Sequence, residues 1–376
     1  VAIKSSVGYG PEGTASFGGP QGDPYYYSGP VPVARSELLI SVSGFPTQIN
    51  AFESRHMTLE GSRLTGAAGV LYWKNWPTGL QDVSVAKGTP PDTNESLGSW
   101  LAGTNPARAN VLLPVFGLEL RDIPMMVKEM GLVALKVRDG IIKSLKGLDS
   151  GTAAKANLAF QFGWQPFVLD LWKMVSFQEA VEKRRRELSK LSSGKGLRMR
   201  RDSPSMTDHF TMKSYPLITW GGAFIAPDIE VTRTIDRWVV GWWKPTSPSS
   251  VPQSDAGIRR LLTGTDPGNI AANVWAALPW SWFTDYFYNV GQLIDASNRT
   301  VATPHLVSVM TRHRHVLQHK AGGGLTAGVV TTTTHERGVG LGYTASAGMP
   351  TLGAGQLSIL GSLAVVKNPR VTSIFR

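Results

Sequence analysis

His313, His315 and His319 stand at even spacing, which on a β-strand places three imidazoles on one face, where Glu336 or an aspartate could complete a zinc site. Arg312, Arg314 and Lys320 flank them, and that positive charge opposes a divalent cation. The segment therefore reads as a solvated basic strand whose histidines add positive charge below their reference pKa. Gly338, Gly340 and Gly342 begin like a dinucleotide loop, but the third glycine of that fingerprint is missing at its offset, which leaves flexible hairpin glycine. Ser193-Gly194-Lys195-Gly196 lacks the first glycine and the following Ser or Thr of a phosphate loop. Neither H-E-x-x-H nor G-x-S-x-G occurs, and no nucleophile stands beside a base. The absence of cysteine excludes disulfides, thiolate zinc sites, iron–sulfur clusters and cysteine nucleophiles. The chain is thus expected to have no catalytic residue, no metal and no cofactor.

The strongest electrostatic feature is the run from Lys183 to Arg201. Lys183, Arg184, Arg185, Arg186, Lys190, Lys195, Arg198, Arg200 and Arg201 are opposed within it only by Glu187. The whole chain follows the same sign, with 38 Lys and Arg against 27 Asp and Glu and a net charge of +11 at pH 7. Such a balance favours an anionic partner, nucleic acid or an acidic membrane surface. A charge run is ordinarily a solvated helix face. Here it is almost unopposed, and by the 100° helical step Arg185 falls within the apolar stripe, which implies a helix running beyond the core into solvent or a ligand. Arginine contacts phosphates bidentately and stacks on unpaired bases, which suits folded RNA. Arg259 and Arg260 are secondary RNA candidates.

These side chains require positioning elements. At 376 residues, 42% hydrophobic and 17% charged, the chain can bury a sizeable core. Residues 1–34, rich in Gly, Pro, Ser and Tyr, read as an extended arm or long loop, and 86–110 as another loop. Strand signals occur at Leu38–Val42 and Val70–Trp73. From Asp122, a plausible N-cap, apolar residues recur every three or four positions to Leu148, an amphipathic helix of about seven turns. A second helix starts near Pro166, with Phe167, Leu171, Met174, Val175, Val181 and Leu188 as its stripe and Gly194 and Gly196 at its end. Strand character returns at 206–243 and 301–336, helical character at 259–294, and a short helix closes near Leu357–Ala364. Helices and strands interleave in blocks, without βαβ alternation, which makes the class α+β.

The segment 269–294 is long enough to span a bilayer and carries Asp285 as its one formal charge. Asn273, Pro279, Asp285, Asn289 and Gln292 interrupt it, and a mid-bilayer Asp is costly. The first residues, Val1-Ala2-Ile3-Lys4, lack the long apolar stretch of a signal peptide. Trp275, Leu278, Trp282, Tyr286, Val290 and Ile294 instead describe one helix face packed against other helices, with Asp285 needing a backbone N–H or an arginine as partner.

Two segments carry a specific likeness. Phe162-Gly163-Trp164-Gln165-Pro166-Phe167 resembles the F-G-W-x-P signature of the maturation proteins of single-stranded RNA bacteriophages. The stretch from Trp275 to Gly291, with Pro279, Ser281, Trp282, Asp285 and Phe287, resembles that family's second signature, W-x-x-x-P-aromatic-S followed by D-aromatic-F and N-V-G. Leu120-Arg121-Asp122-Ile123-Pro124 and Gln356–Ala364 are weaker echoes, and the order and spacing of all four fit 118–365. Residues 1–110 and 297–350 carry no recognised motif of that family.

The resemblance implies an elongated α+β molecule with a helical-bundle region and a separate antiparallel β-sheet region. Its parts would be an N-terminal arm and β-rich region at 1–117, long helices with a basic tip at 118–204 and a β-rich stretch at 205–255. An aromatic bundle helix at 256–296, a β-rich stretch at 297–350 and a C-terminal helix and tail at 351–376 would follow. It implies a virion component that binds the 3′ region of the genomic RNA, replaces a coat-protein dimer, recognises a bacterial pilus and accompanies the genome into the host. Trp164, Pro166, Pro279, Trp282 and Asp285 would serve the fold. Two rivals stay open: a peripheral membrane protein using an interfacial aromatic helix, and an RNA-processing enzyme.

Overall fold

The computed structural model of the chain describes residues 4–18, 24–41, 52–68, 71–112, 157–158, 176–217, 224–278, 281–285, 288–339, 358 and 361–362. The long helix expected at 122–148 and the segment Phe162–Phe167, with Gly163, Trp164 and Pro166, lie outside these residues. So do Pro279, Phe287, Gly340, Gly342 and most of the closing helix. The class is mixed α+β with an antiparallel sheet. Two compact units are distinguished, one drawn from 1–100, 198–242 and 305–343, the other from 101–197, 243–304 and 344–376.

The sheet makes up most of the first unit. Its strands are β1 (Lys4–Gly18), β2 (Pro24–Ser41), β3 (Phe52–Gly61), β4 (Arg63–Ala68), β5 (Leu71–Pro77), β6 (Leu197–Asp202), β7 (Met206–Met212), β8 (Ile229–Pro245), β9 (Ala302–His319) and β10 (Gly328–Val339). They lie in the order β4-β5-β1-β2-β3-β10-β9-β8-β6, with β7 also paired to β8. β9 and β10 form a hairpin whose turn, Gly323-Gly324, has φ of +60° and +82°. Positive φ at both central residues matches the twist of the flanking strands, and glycine adopts it without steric cost.

The N-terminal segment is a strand pair, not the arm or loop that its Gly and Pro content suggests. β1 pairs with β2 from Lys4↔Leu38 to Gly18↔Pro24. The register shifts at Gly8/Tyr9 and between Gly10 and Gly13, so Pro11, which has no N–H to give, falls in an irregularity where no ladder bond is required. Residues 86–110 likewise contain a helix, α1 (Thr93–Thr104). Asp92 starts it by accepting from the backbone N–H groups of Asn94 (3.2 Å) and Glu95 (3.4 Å). Leu97, Trp100 and Leu101 are its buried residues, at helical spacing.

One face of the sheet packs on the strap 78–87. Met57, Leu59, Ile229, Val231, Leu317 and Val330 surround Leu80, with Val83 and Val85 against them. Trp100 is fully buried over Gly241, and its indole N–H donates to Met199 O at 3.1 Å. A β-carbon at Gly241 would lie 2.9 Å from the Trp100 ring and 2.8 Å from Val307, so only glycine fits there.

In the second unit α2 (Phe177–Ser192) buries Val181, Leu188 and Leu191, and α3 (Asp255–Leu262) buries Ile258, Leu261 and Leu262. The aromatic segment is not one helix. It is divided into α4 (Ile270–Ala277), α5 (Ser281–Asp285, which includes Trp282) and α6 (Val290–Ser297). The first break comes at Leu278, whose ψ of 130° is extended, as expected for a residue before proline. The face drawn through Trp275, Leu278 and Val290 is therefore discontinuous, and Leu278 is exposed.

Candidate nucleic-acid interface

The basic run does not stay on one helix. Lys183 to Lys190 lie on α2, which ends at Ser192; Gly194 and Gly196, both at φ +80°, turn the chain, and Arg198, Arg200 and Arg201 lie on β6. The tip expected to be helical is therefore partly sheet.

On α2 the buried arginine is Arg184, not Arg185. Val181, Arg184, Leu188 and Leu191 form one periodic stripe, and Leu191, seven residues after Arg184, sets its phase. Arg184 is 4% exposed. Its Nη1 donates to Pro106 O, and its Nε lies 3.2 Å from the Glu187 carboxylate, which also accepts from Arg108 at 3.5 Å. Burial, reinforced by the Arg108 charge and resisted by Glu187, pushes the Arg184 guanidinium down to about 9, still protonated at neutral pH. Arg184 is thus withdrawn from any RNA-contact set: it fastens α2 to the loop at 105–108. That loop is itself held by Asn105, whose Nδ2 donates to Asp295 O and Asn298 O at 2.9 and 2.8 Å.

Arg185 is half exposed and held between Glu182 (3.1 Å) and Asp255 (2.5 Å). Lys183, Arg186 and Lys190 remain exposed at spacings of three and four residues, hence on one helix face. Arg186 donates to Glu182 O at 3.4 Å, which leaves its charge unpaired among the described residues. Lys183, Lys190 and Lys195 have no ion pair among the described residues. At the end of α3, Arg259 donates to Gln178 at 3.4 Å and Arg260 is exposed. Among the described residues of the second unit, the cations without ion pairs thus include those of the outer face of α2, Lys195, Lys244 and the last turn of α3.

On β6 the cations are organised differently. The Arg198 guanidinium lies 5.5 Å from the Trp242 ring centroid and that of Arg200 4.8 Å from Trp238. Arg200 also donates to Asp202 at 2.5 Å, and Arg201 to Ser99 Oγ at 2.8 Å. The two tryptophans were not among the sequence candidates. Their signal was the alternation of β8, in which Ile235 and Val239 are buried while Trp238 and Trp242 are half exposed.

The histidines share one face, as their spacing requires, but that face is the buried one, at 3% for His313, 9% for His315 and 5% for His319. His319 has neither nitrogen free for a metal. Its Nδ1 donates to Lys320 O at 3.0 Å, so its Nε2 accepts from Ser62 Oγ at 2.9 Å. His313 donates from Nδ1 to Lys87 O at 3.0 Å, and Glu336 bonds Lys87. No group of three or more His, Asp or Glu among the described residues is placed to hold a metal.

The second signature segment closes on itself. The Asp285 carboxylate accepts from the Trp275 indole N–H and from the backbone N–H of Gly291, both at 3.0 Å. A β-carbon on Gly291 would come 3.0 Å from that carboxylate. Among the described residues no helix is long and apolar enough to cross a membrane. In comparisons with known proteins, no family model and no curated protein matches this chain.

Proposed function

We propose that the chain is a maturation protein of a single-stranded RNA bacteriophage. In this reading it is an elongated, non-catalytic virion component with a helical bundle and a β-sheet region. It binds the 3′ region of the genomic RNA, takes the place of a coat-protein dimer and attaches the particle to a bacterial pilus. The RNA half rests on one observation: Lys183, Arg186 and Lys190 form an exposed row on α2 without ion pairs among the described residues. The capsid and pilus halves rest on the two signature segments. The Trp275–Asp285–Gly291 link supports a structural role for the second of them: the Trp275 indole and the Gly291 backbone donate to the Asp285 carboxylate, which a side chain at position 291 would crowd. Affinity comes mainly from phosphate neutralisation and specificity from RNA shape.

The test is competition between the phage's genomic 3′ end and length-matched unrelated RNA at two salt concentrations. A variant with Lys183, Arg186 and Lys190 changed to Gln runs beside wild type. The expected result is preference for the 3′ end, and a variant whose log–log salt slope is shallower by roughly two units for three lost phosphate contacts. Equal binding of both RNAs by both proteins would remove α2 as the genome grip.

One observation favours a second reading. Ile270 and Val274 are exposed on one face of α4, and Leu278 is exposed just beyond its end. An interfacial membrane helix would use such a face. Flotation of the purified protein with anionic liposomes, and its loss on Val274→Asp, would support it.

A further inference from the structure

The outer face of the sheet combines cations and aromatic rings in a pattern that the helix row does not share. On β6 and β8 the side chains alternate. Leu197, Ile235 and Val239 point into the core, and Arg198, Arg200, Trp238 and Trp242 point away from it. Each arginine lies over one indole, at 5.5 and 4.8 Å. Neighbouring β9 presents Arg312 and Arg314 on the same side, since His313, His315 and Leu317 occupy the buried one. Arg312 is bonded to Asp236 of β8 at 2.6 Å, which places both strands' outer residues on one surface. On β10, Arg337 lies over Phe52 of β3 at 5.3 Å, opposite it in register. Over β6, β8, β9 and β10 the acids on this face are Asp202, Glu230 and Asp236. Asp202 and Asp236 are already bonded to Arg200 and Arg312, and Arg314 has no ion pair among the described residues.

We propose that this face binds unpaired RNA, with Trp238 and Trp242 as stacking platforms for bases and Arg198, Arg200 and Arg314 as phosphate contacts. Three physical features select single-stranded nucleic acid over other anions. The first is excess positive charge. The second is flat aromatic surface: a sheet bearing aromatic side chains stacks two or three bases, and every base offers a π-face. The third is spacing. Trp238 and Trp242 are four residues apart on one strand, about 13 Å at about 3.3 Å per residue, which leaves room for two splayed bases on separate rings. The guanidinium groups, 5.5 and 4.8 Å from the ring centroids, leave no room for a base between cation and ring, so each arginine swings aside to a phosphate as a base takes its place on the indole. The choice of RNA over DNA rests on the genome-binding function proposed above; the stacking chemistry does not.

The experiment uses a fluorescein-labelled 12-nucleotide RNA of mixed sequence, alone and annealed to its complement, with anisotropy read at two salt concentrations. Trp238→Leu with Trp242→Leu removes both platforms and keeps every charge. It is expected to weaken single-strand binding by at least about twentyfold, at about fivefold or more per lost stack, with the salt slope unchanged. Duplex binding should stay within about twofold, and Trp238→Phe with Trp242→Phe should retain most of the single-strand affinity. Should the leucine variant fail to fold, Arg198→Gln with Arg200→Gln takes its place, and is expected to weaken the same strand with a shallower slope. The proposal is overturned if a folded leucine variant binds the single strand as wild type does, if it loses strand and duplex equally, if the glutamine variant is unaffected, or if wild type binds neither. Loss of the 3′-end preference together with a stacking-dependent single-strand site would overturn the maturation-protein reading and leave this one standing.

Discussion

Asp285 accepts a 3.0 Å hydrogen bond from the indole of Trp275, ten residues earlier, across the break between α4 and α5. Its second oxygen takes the backbone N–H of Gly291. One carboxylate thus ties three short helices together. Asp285→Ala leaves two half-buried donors without an acceptor and is expected to destabilise the protein by about 2–3 kcal/mol. Urea unfolding measures it. Asp285→Asn, which keeps one acceptor oxygen, should cost less.

Arg184 and Lys183 are neighbours in sequence with opposite expected phenotypes. Truncating Arg184 to Ala leaves the buried Glu187 with Arg108, at 3.5 Å, as its remaining partner among the described residues, at a cost of about 3 kcal/mol. Lys183→Gln lies on the exposed face and should leave stability within about 0.5 kcal/mol while weakening RNA binding. Thermal unfolding and RNA titration of the two single variants separate the roles.

Gly241→Ala drives a methyl group into the Trp100 ring and Val307, both buried. Overpacking of this kind costs about 1–3 kcal/mol. A compensating Trp100→Phe should recover part of that loss in the double variant, and a double-mutant cycle in denaturant is the measurement.

His315 gives the sheet a pH dependence of defined sign. Burial above all, with His313 and Arg233 nearby, holds its imidazole below the ordinary value of 6.5; Arg55 acts in the same direction, and a backbone bond to Lys87 opposes it. His335 is lowered by burial and by Arg312. The unfolded chain takes up these protons near pH 6.5 and the folded chain only at lower pH. Stability is therefore lost as pH falls below about 6.5 and regained as it rises. The denaturation midpoint should drop between pH 7.5 and 5.5, and His315→Gln should flatten part of that slope.

The strands at 206–243 and 301–336 were legible because branched residues alternate over long stretches. α1 was hidden because its apolar set is short and Pro90-Pro91 ahead of it reads as loop; the signal was Asp92, placed to cap. The β1–β2 pair was hidden because glycine and proline mask alternation, and the bulges that accommodate Pro11 are features of pairing, not of either strand. Arg184 and Arg185 are nearly equivalent between Val181 and Leu188, and only Leu191 separates them. The Arg198–Trp242 and Arg200–Trp238 stacks join residues about forty positions apart. No local period encodes such a pairing, which depends on strand register.

Trp100 has one further consequence, for the order in which the chain acquires structure. Its surroundings come from Met199, Gly241 and Val307, all about a hundred or more positions away. Closing those loops costs entropy before burial of the indole returns anything. A helix of 12 residues is marginal on its own in water. The sheet must therefore be in place before α1 gains its stability, and an excised 93–104 peptide should show little helix by circular dichroism. α1 is a helix that the sheet creates, not a nucleus around which the sheet gathers.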